Sequence, residues 1–337
     1  MNILLGPLTV ALIVAVVLTP IVRNWMIARG WVEKPTEKQK KSGNATALYP
    51  IPRGGGVAIY IAMVTAVLIF AGGQGKISGI MIAGLLMLLV GLGDDIREID
   101  PRIRLLTNIL AAVIVVGFGI KINFISSPFG GVIDLSFGLW ADLLTILWIV
   151  WCANIVGWSA GVEGQLPGIT AISAIVIGIL GTRYIGDPGQ LPVIILAGAL
   201  AGSYLGFLPY NFFPQSIMPG YSGKSLAGFM LGVLAILSGA KLATLMLLLG
   251  IPMFDAIAVI AKRIYQGKSI VLADDQHLHH QLLKNNWSRR QIAVFYWAVS
   301  LILGVVALNL NSQQKFYCLI GVVMLFVGFT LKVYRRI

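Results

Sequence analysis

Two adjacent carboxylates, Asp94 and Asp95, stand in the segment GLGDDIREIDPRIRLL directly after an apolar run. Side by side they repel unless a proton, an arginine or a cation lies between them, and oxygen ligands of this kind suit Mg²⁺. Mg²⁺ on one or two carboxylates together with substrate phosphates is the usual arrangement for phosphoryl transfer. A solvated turn, with Asp95 capping the next helix and Arg97, Arg102 or Arg104 pairing with the acids, accounts for the same residues. All three histidines of the chain, His277, His279 and His280, fall in DDQHLHHQLL beside Asp274 and Asp275. Such a cluster can bind a transition metal, move a proton or donate to phosphate oxygens. Zinc is disfavoured, because no cysteine is near and helical spacing does not converge three rings.

Three glycine-rich segments accompany these groups. NIVGWSAGVEGQLPGI carries Asn154 and the lone acid Glu163, and LPYNFFPQSIMPGYSGKS carries Asn211 and one cation, Lys224, beside Gly220 and Gly223. PIPRGGGVAIY places Arg53 before three glycines. Glycine lets backbone approach a ligand closely and exposes N–H groups that can bind phosphate, but it also ends helices.

The elements that must position these residues are membrane spans. The chain is 58% apolar and 11% charged, with mean hydropathy +0.88, far from the composition of a water-soluble domain. Its apolar residues come in blocks long enough for a helix to cross about 30 Å of hydrocarbon. Eleven candidates lie near 3–22, 54–72, 77–93, 105–120, 138–156, 168–182, 190–209, 225–239, 241–261, 292–310 and 316–333. The short block 168–182 could be re-entrant, which leaves ten or eleven spans. The expected fold is all-α, a polytopic helical bundle forming one domain over residues 1–337. The first span lacks a basic stretch before it and a cleavage site after it, so it reads as an uncleaved anchor.

The net charge of +12 raises the question of nucleic acid, and the placement of the charges answers it. Twenty of the 25 Lys and Arg follow spans 1, 3, 5, 7 and 9 or lie at the end of the chain; Lys76, Lys121, Arg183, Lys241 and Lys315 are the others. That split is a topology signal, so no nucleic-acid partner is expected, and it puts the N-terminus outside the cell. Ten of the 13 acids also fall on the inner side, including Glu33, Asp94, Asp95, Glu163 and Asp255. Carboxylates kept at span ends are candidate functional groups. Cys152 and Cys318 sit inside apolar blocks at no metal or disulfide spacing and read as packing residues.

In this order, GWVEKPTEKQKK, PRGGG, GLGDD, the Asn154 loop, YNFFP, MFDA and HLHH resemble the polyprenyl-phosphate N-acetylhexosamine-1-phosphate transferase family over nearly the whole chain. The resemblance implies an enzyme of the plasma membrane, with a site on the cytoplasmic face. There, a sugar-1-phosphate passes from a UDP-sugar to polyprenyl phosphate, UMP is released and a cell-envelope glycan is begun. It implies Mg²⁺, with Mn²⁺ as a substitute, and leaves homodimerisation open. Asp94 and Asp95 match the family's paired aspartates, Arg104 a basic position, Asn154 the first Asn of N-A-x-N-L-x-D-G-x-D-G, and His277, His279 and His280 its H-x-H-H cluster. That histidine pattern resembles the branch using UDP-N-acetylhexosamines.

The chain departs from the family at Gly157, Ala160 and Glu163, which replace Asn, Asp and Asp, and at Tyr221, which replaces the Asp of G-D-x-G. A metal site would then rest on Asp94, Asp95 and Glu163, which are also the expected catalytic acids. Arg53, Arg104, Asn154, Asn211, Lys224 and the histidines would bind substrate, with Lys224 taking over charge neutralisation from the missing carboxylate. The alternative is a catalytically inactive relative that binds lipid carrier or nucleotide sugar as a scaffold or regulator. A transporter is disfavoured, because the polar residues crowd one face instead of a midplane path.

Overall fold

The computed structural model describes residues 2–34, 50–73, 75–127, 129–239, 241–267 and 277–334. Asp274, Asp275 and most of GWVEKPTEKQKK lie outside them. The helices are α1 (Asn2–Ala28), α2 (Gly55–Ala71), α3 (Lys76–Ile96), α4 (Pro101–Gly117), α5 (Trp140–Trp158), α6 (Gln165–Thr182) and α7 (Gln190–Asn211). They continue as α8 (Gly220–Leu237), α9 (Leu242–Leu248), α10 (Gly250–Tyr265), α11 (Leu278–Lys284), α12 (Arg289–Asn309) and α13 (Ser312–Tyr334). Each apolar block of the sequence is a helix except 241–261, which breaks into α9 and α10 with a bend of 85°. Among the described residues eight helices are long and apolar enough to cross a membrane, the bent pair would make a ninth, and α2 is apolar but shorter. The block 168–182 is no re-entrant stub: it belongs to the 18-residue α6.

The helical bundle expected from the sequence is what forms, with two short antiparallel strand pairs beside it. Strands β1 (Val32–Glu33) and β2 (Ile51–Pro52) join with Glu33 opposite Ile51. Strands β3 (Phe124–Ser126) and β4 (Val132–Asp134) form a hairpin at the other end of the bundle.

In hydrocarbon, apolar side chains gain nothing by meeting each other instead of lipid, so close backbone approach has to supply helix association. Helix α7 carries glycines at 198, 202 and 206, one every four residues and hence on one face. A Cβ at these positions would strike the carbonyl oxygens of Leu4, Leu8 and Leu12 in α1, and α1 with α7 is the most extensive helix pair. Gly228 and Gly232 of α8 likewise admit Cys152 of α5, whose free thiol is buried in that contact, as packing predicts. Helix α8 is the hub, touching α2, α3 and α5. Of its apolar stretch 83% is buried, against 6% for α13.

Candidate active site

The N-terminus of α8 is built around Asp95. Helix α3 reaches it because Gly91 has no side chain: a Cβ there would sit 2.5 Å from Cα of Ser222. Asp95 Oδ1 accepts from the Tyr221 N–H at 2.6 Å, while Oδ2 accepts from the Ser222 hydroxyl at 2.6 Å and from its N–H at 3.3 Å. A carboxylate thus satisfies the open donors of the first turn of α8 and meets its positive end. Gly220, at φ 68°, is required twice, by its left-handed backbone and because a Cβ would strike the Arg53 carbonyl and the Asp95 carboxylate. The helix after the aspartate pair is capped by Asp100 instead, which accepts from Arg102 N at 2.7 Å and precedes Pro101.

Asp94 faces the other way. Arg104 Nε lies 2.8 Å from its Oδ1, which also accepts from Ile99 N at 2.9 Å. Its Oδ2 is buried with no hydrogen-bond partner. The Arg104 guanidinium lies 5.2 Å from the centre of the Tyr221 ring, so the phenol stacks on an arginine. Arg53 is set by β2, whose other edge is pinned by Met218 N donating to Pro52 O at 2.8 Å. Its Nε lies 3.4 Å from Glu33 and 3.8 Å from Asp95 Oδ1.

A second cluster gathers around the turn between α5 and α6. Arg289 Nη1 donates to both oxygens of buried Glu163, each at 3.0 Å. Gly164, left-handed at φ 79°, donates its N–H to Asn211 Oδ1 at 3.1 Å. Asn211 Nδ2 donates to Gln215 and to the Ile217 carbonyl, so Asn211 locks two loops together. The His279 ring lies on Gly161, where a Cβ would collide with it. Burial, then the charges of His280 and His277, hold the His279 imidazole well below its usual 6.5 and therefore neutral. Its Nδ1 is buried without a partner. His277 Nδ1 lies 2.8 Å from Asp255 Oδ2, and Asp255 Oδ1 accepts from Leu278 N at 2.9 Å, so one carboxylate of α10 fixes both His277 and the start of α11. The His280 ring lies 4.2 Å from that of His279.

Lys224 stands between the clusters. It lines a small cleft with Gly161, Glu163, Asn211 and Pro219, feels the charges of Arg53, Glu33, Asp95 and Asp94, and has no ion pair among the described residues. The sequence residues therefore separate into Arg53, Asp94, Asp95 and Arg104 on one side and Glu163, Asn211 and the histidines on the other. Asn154 joins neither by hydrogen bond: its Nδ2 donates to Val150 O of its own helix at 2.8 Å. The three carboxylates expected to share a cation do not gather, and no group of three His, Cys, Asp or Glu suited to a metal forms among the described residues. Sequence reasoning overlooked Arg289, Ser222 and the positioning role of Asp255. MFDA carries a signal for Asp255, but nothing local marks Arg289, which is 126 residues from Glu163.

The profile of glycosyl transferase family 4 matches residues 77–239. A decaprenyl-phosphate N-acetylglucosaminephosphotransferase of Mycobacterium leprae is 30% identical over 301 residues, covering 79% of this chain and 74% of the relative. The chain belongs to glycosyl transferase family 4. Within the family it is also similar to a probable undecaprenyl-phosphate N-acetylglucosaminyl 1-phosphate transferase of Bacillus subtilis, at 28% identity over 94% of this chain and 88% of the relative. A phospho-N-acetylmuramoyl-pentapeptide-transferase of Desulforudis audaxviator is 28% identical over 89% of this chain and 95% of the relative. The stretch matched by the glycosyl transferase family 4 profile runs from α3 to the end of α8. It contains the Asp94–Asp95 pair, Glu163, Asn211, Tyr221 and Lys224; Arg53 and the histidines lie outside it.

Proposed function

We propose that this chain transfers an N-acetylhexosamine-1-phosphate from a UDP-sugar to a polyprenyl phosphate on the cytoplasmic face of the plasma membrane. The observation that carries the reading is the position of Lys224, a cation free of ion pairs among the described residues, at the junction of the two clusters. Two of the relatives named above carry undecaprenyl phosphate or decaprenyl phosphate in their names, and the sided distribution of Lys and Arg favours the cytoplasmic face for this end. An oxygen of the lipid phosphate forms a bond to the β-phosphorus of the UDP-sugar as the bond from that phosphorus to the bridging oxygen breaks, and UMP takes the electron pair. Lipid phosphate is largely ionised at neutral pH, so positioning and charge neutralisation carry most of the catalysis. Lys224 and Arg53 meet phosphate charge. Neutral His279 and the Nε2 of His277 supply hydrogen bonds, because Asp255 engages Nδ1 of His277.

A Mg²⁺ held by all three carboxylates does not fit this arrangement, since Asp95 is taken up by α8 and Glu163 by Arg289. Asp94 Oδ2, buried and unpartnered, suits a Mg²⁺ that enters with the substrate phosphates and takes one protein carboxylate. Such an ion would add Lewis-acid neutralisation of the phosphoryl oxygens. A second reading, a relative that binds without transfer, draws on the same engagement of Asp95 and Glu163 and on Tyr221. The test is transfer of radiolabelled sugar phosphate from UDP-N-acetylhexosamines to undecaprenyl phosphate by purified protein, with Mg²⁺ and with EDTA. Product supports the transferase; nucleotide binding with no product from any donor supports the second reading.

A further inference from the structure

At the end of the bundle remote from Lys224, a cavity of about 740 Å³ opens between the ends of α6, α9, α12 and α13. Helix α8, about 27 Å long at its 18 residues, separates the two regions. Arg183, Lys241 and Lys315 line the cavity, three of the five basic residues that the sequence assigns to this side. None of the three forms an ion pair among the described residues. Their contacts are neutral: Arg183 donates to the Leu308 carbonyl, Lys315 Nζ donates to Thr244 Oγ1 at 2.9 Å, and Lys241 Nζ stands 4.2 Å over the Tyr184 ring. The acid whose charge reaches Lys241 is Asp187, and its oxygens already accept from Gly189 N and Gln190 Nε2. Lys121, a fourth cation on this side, differs in having Asp142 at 2.7 Å.

Below the cations the wall turns apolar. Trp148, Phe254, Leu319, Ile320 and Val323 line it there, and the α13 residues recur at the spacing of one helical face. Ile320 and Val323 are 44% and 37% exposed, so this side of the cavity borders the hydrocarbon region. Three cations gathered with no ion pair among the described residues repel one another until an anion joins them. Burial, then the nearby charge of Lys315, draws the Lys241 ammonium down to about 8. A soluble anion would use the charged rim and leave the apolar wall wet, whereas a basic pocket between membrane helices suits the phosphate head group of a lipid.

We propose that this cavity is a binding site for an anionic phospholipid, its phosphate held by Arg183, Lys241 and Lys315 and its acyl chain laid along Leu319 and Val323 of α13. The test is native mass spectrometry of the full-length delipidated protein titrated with phosphatidylglycerol or phosphatidylcholine, and with inorganic phosphate as competitor. Phosphatidylglycerol should bind in preference to phosphatidylcholine and resist displacement by millimolar phosphate. Its affinity should fall on the order of 100-fold in the triple variant Arg183→Gln, Lys241→Gln, Lys315→Gln, and return with Arg183→Lys, Lys241→Arg, Lys315→Arg. Equal retention of both lipids by the wild type would overturn the site whatever the variants do. Displacement by inorganic phosphate would overturn the lipid as its occupant.

Discussion

At the scale of single residues, Glu163 and Asp95 are defined by what they hold. Glu163 is buried on Arg289, itself mostly buried, and removing one partner of such a pair strands the other charge. Glu163→Gln should cost about 3 kcal/mol, read from thermal unfolding in detergent, and Arg289→Met should destabilise comparably. If Arg289→Met leaves the melting temperature alone, Glu163 is free for other work. His279 gives a pH signature. The unfolded imidazole takes a proton near 6.5 and the buried one only well below it. Acid therefore favours the unfolded chain: stability present above about 6.5 is lost as pH falls below it. Melting curves between pH 7.5 and 5.5 should show this loss in the wild type and a smaller one in His279→Asn.

At the scale of elements, the sequence made the helices legible because a hydrocarbon-length apolar block has few other folds. The 85° break between α9 and α10 went unread inside one apolar run, although Gly250 and Pro252 stand at the junction and are the residue types that interrupt helices. Asp94 and Asp95 were legible as a pair, but their partners were not. The Ser222 hydroxyl that Asp95 accepts from lies 127 residues away, and only packing of α3 on α8 decides which acid caps which helix. The glycine face of α7 was also unread, and it carries a prediction. Gly202→Leu should break the α1–α7 contact and abolish a monodisperse gel-filtration peak, whereas Gly321→Leu, with no atom within 4 Å of the added Cβ, should be tolerated.

At the scale of the whole molecule, two groups of cations sit at opposite ends of one bundle, one beside buried carboxylates and histidines and the other around an apolar cavity. The sided distribution of Lys and Arg predicts that the first end faces the cytoplasm. In intact cells, an impermeant maleimide should label Gly131→Cys and spare Arg97→Cys until the membrane is opened; the reverse pattern would invert the topology. The central claim is that a cationic site in this bundle performs phosphoryl transfer, with Lys224 as its pivot. It is tested most directly by kcat/KM for UDP-N-acetylhexosamine in purified wild type, Lys224→Ala and Lys224→Arg with undecaprenyl phosphate as acceptor. The account predicts a loss on the order of 100-fold in Lys224→Ala and recovery of most of it in Lys224→Arg. Wild-type turnover by Lys224→Ala would contradict it.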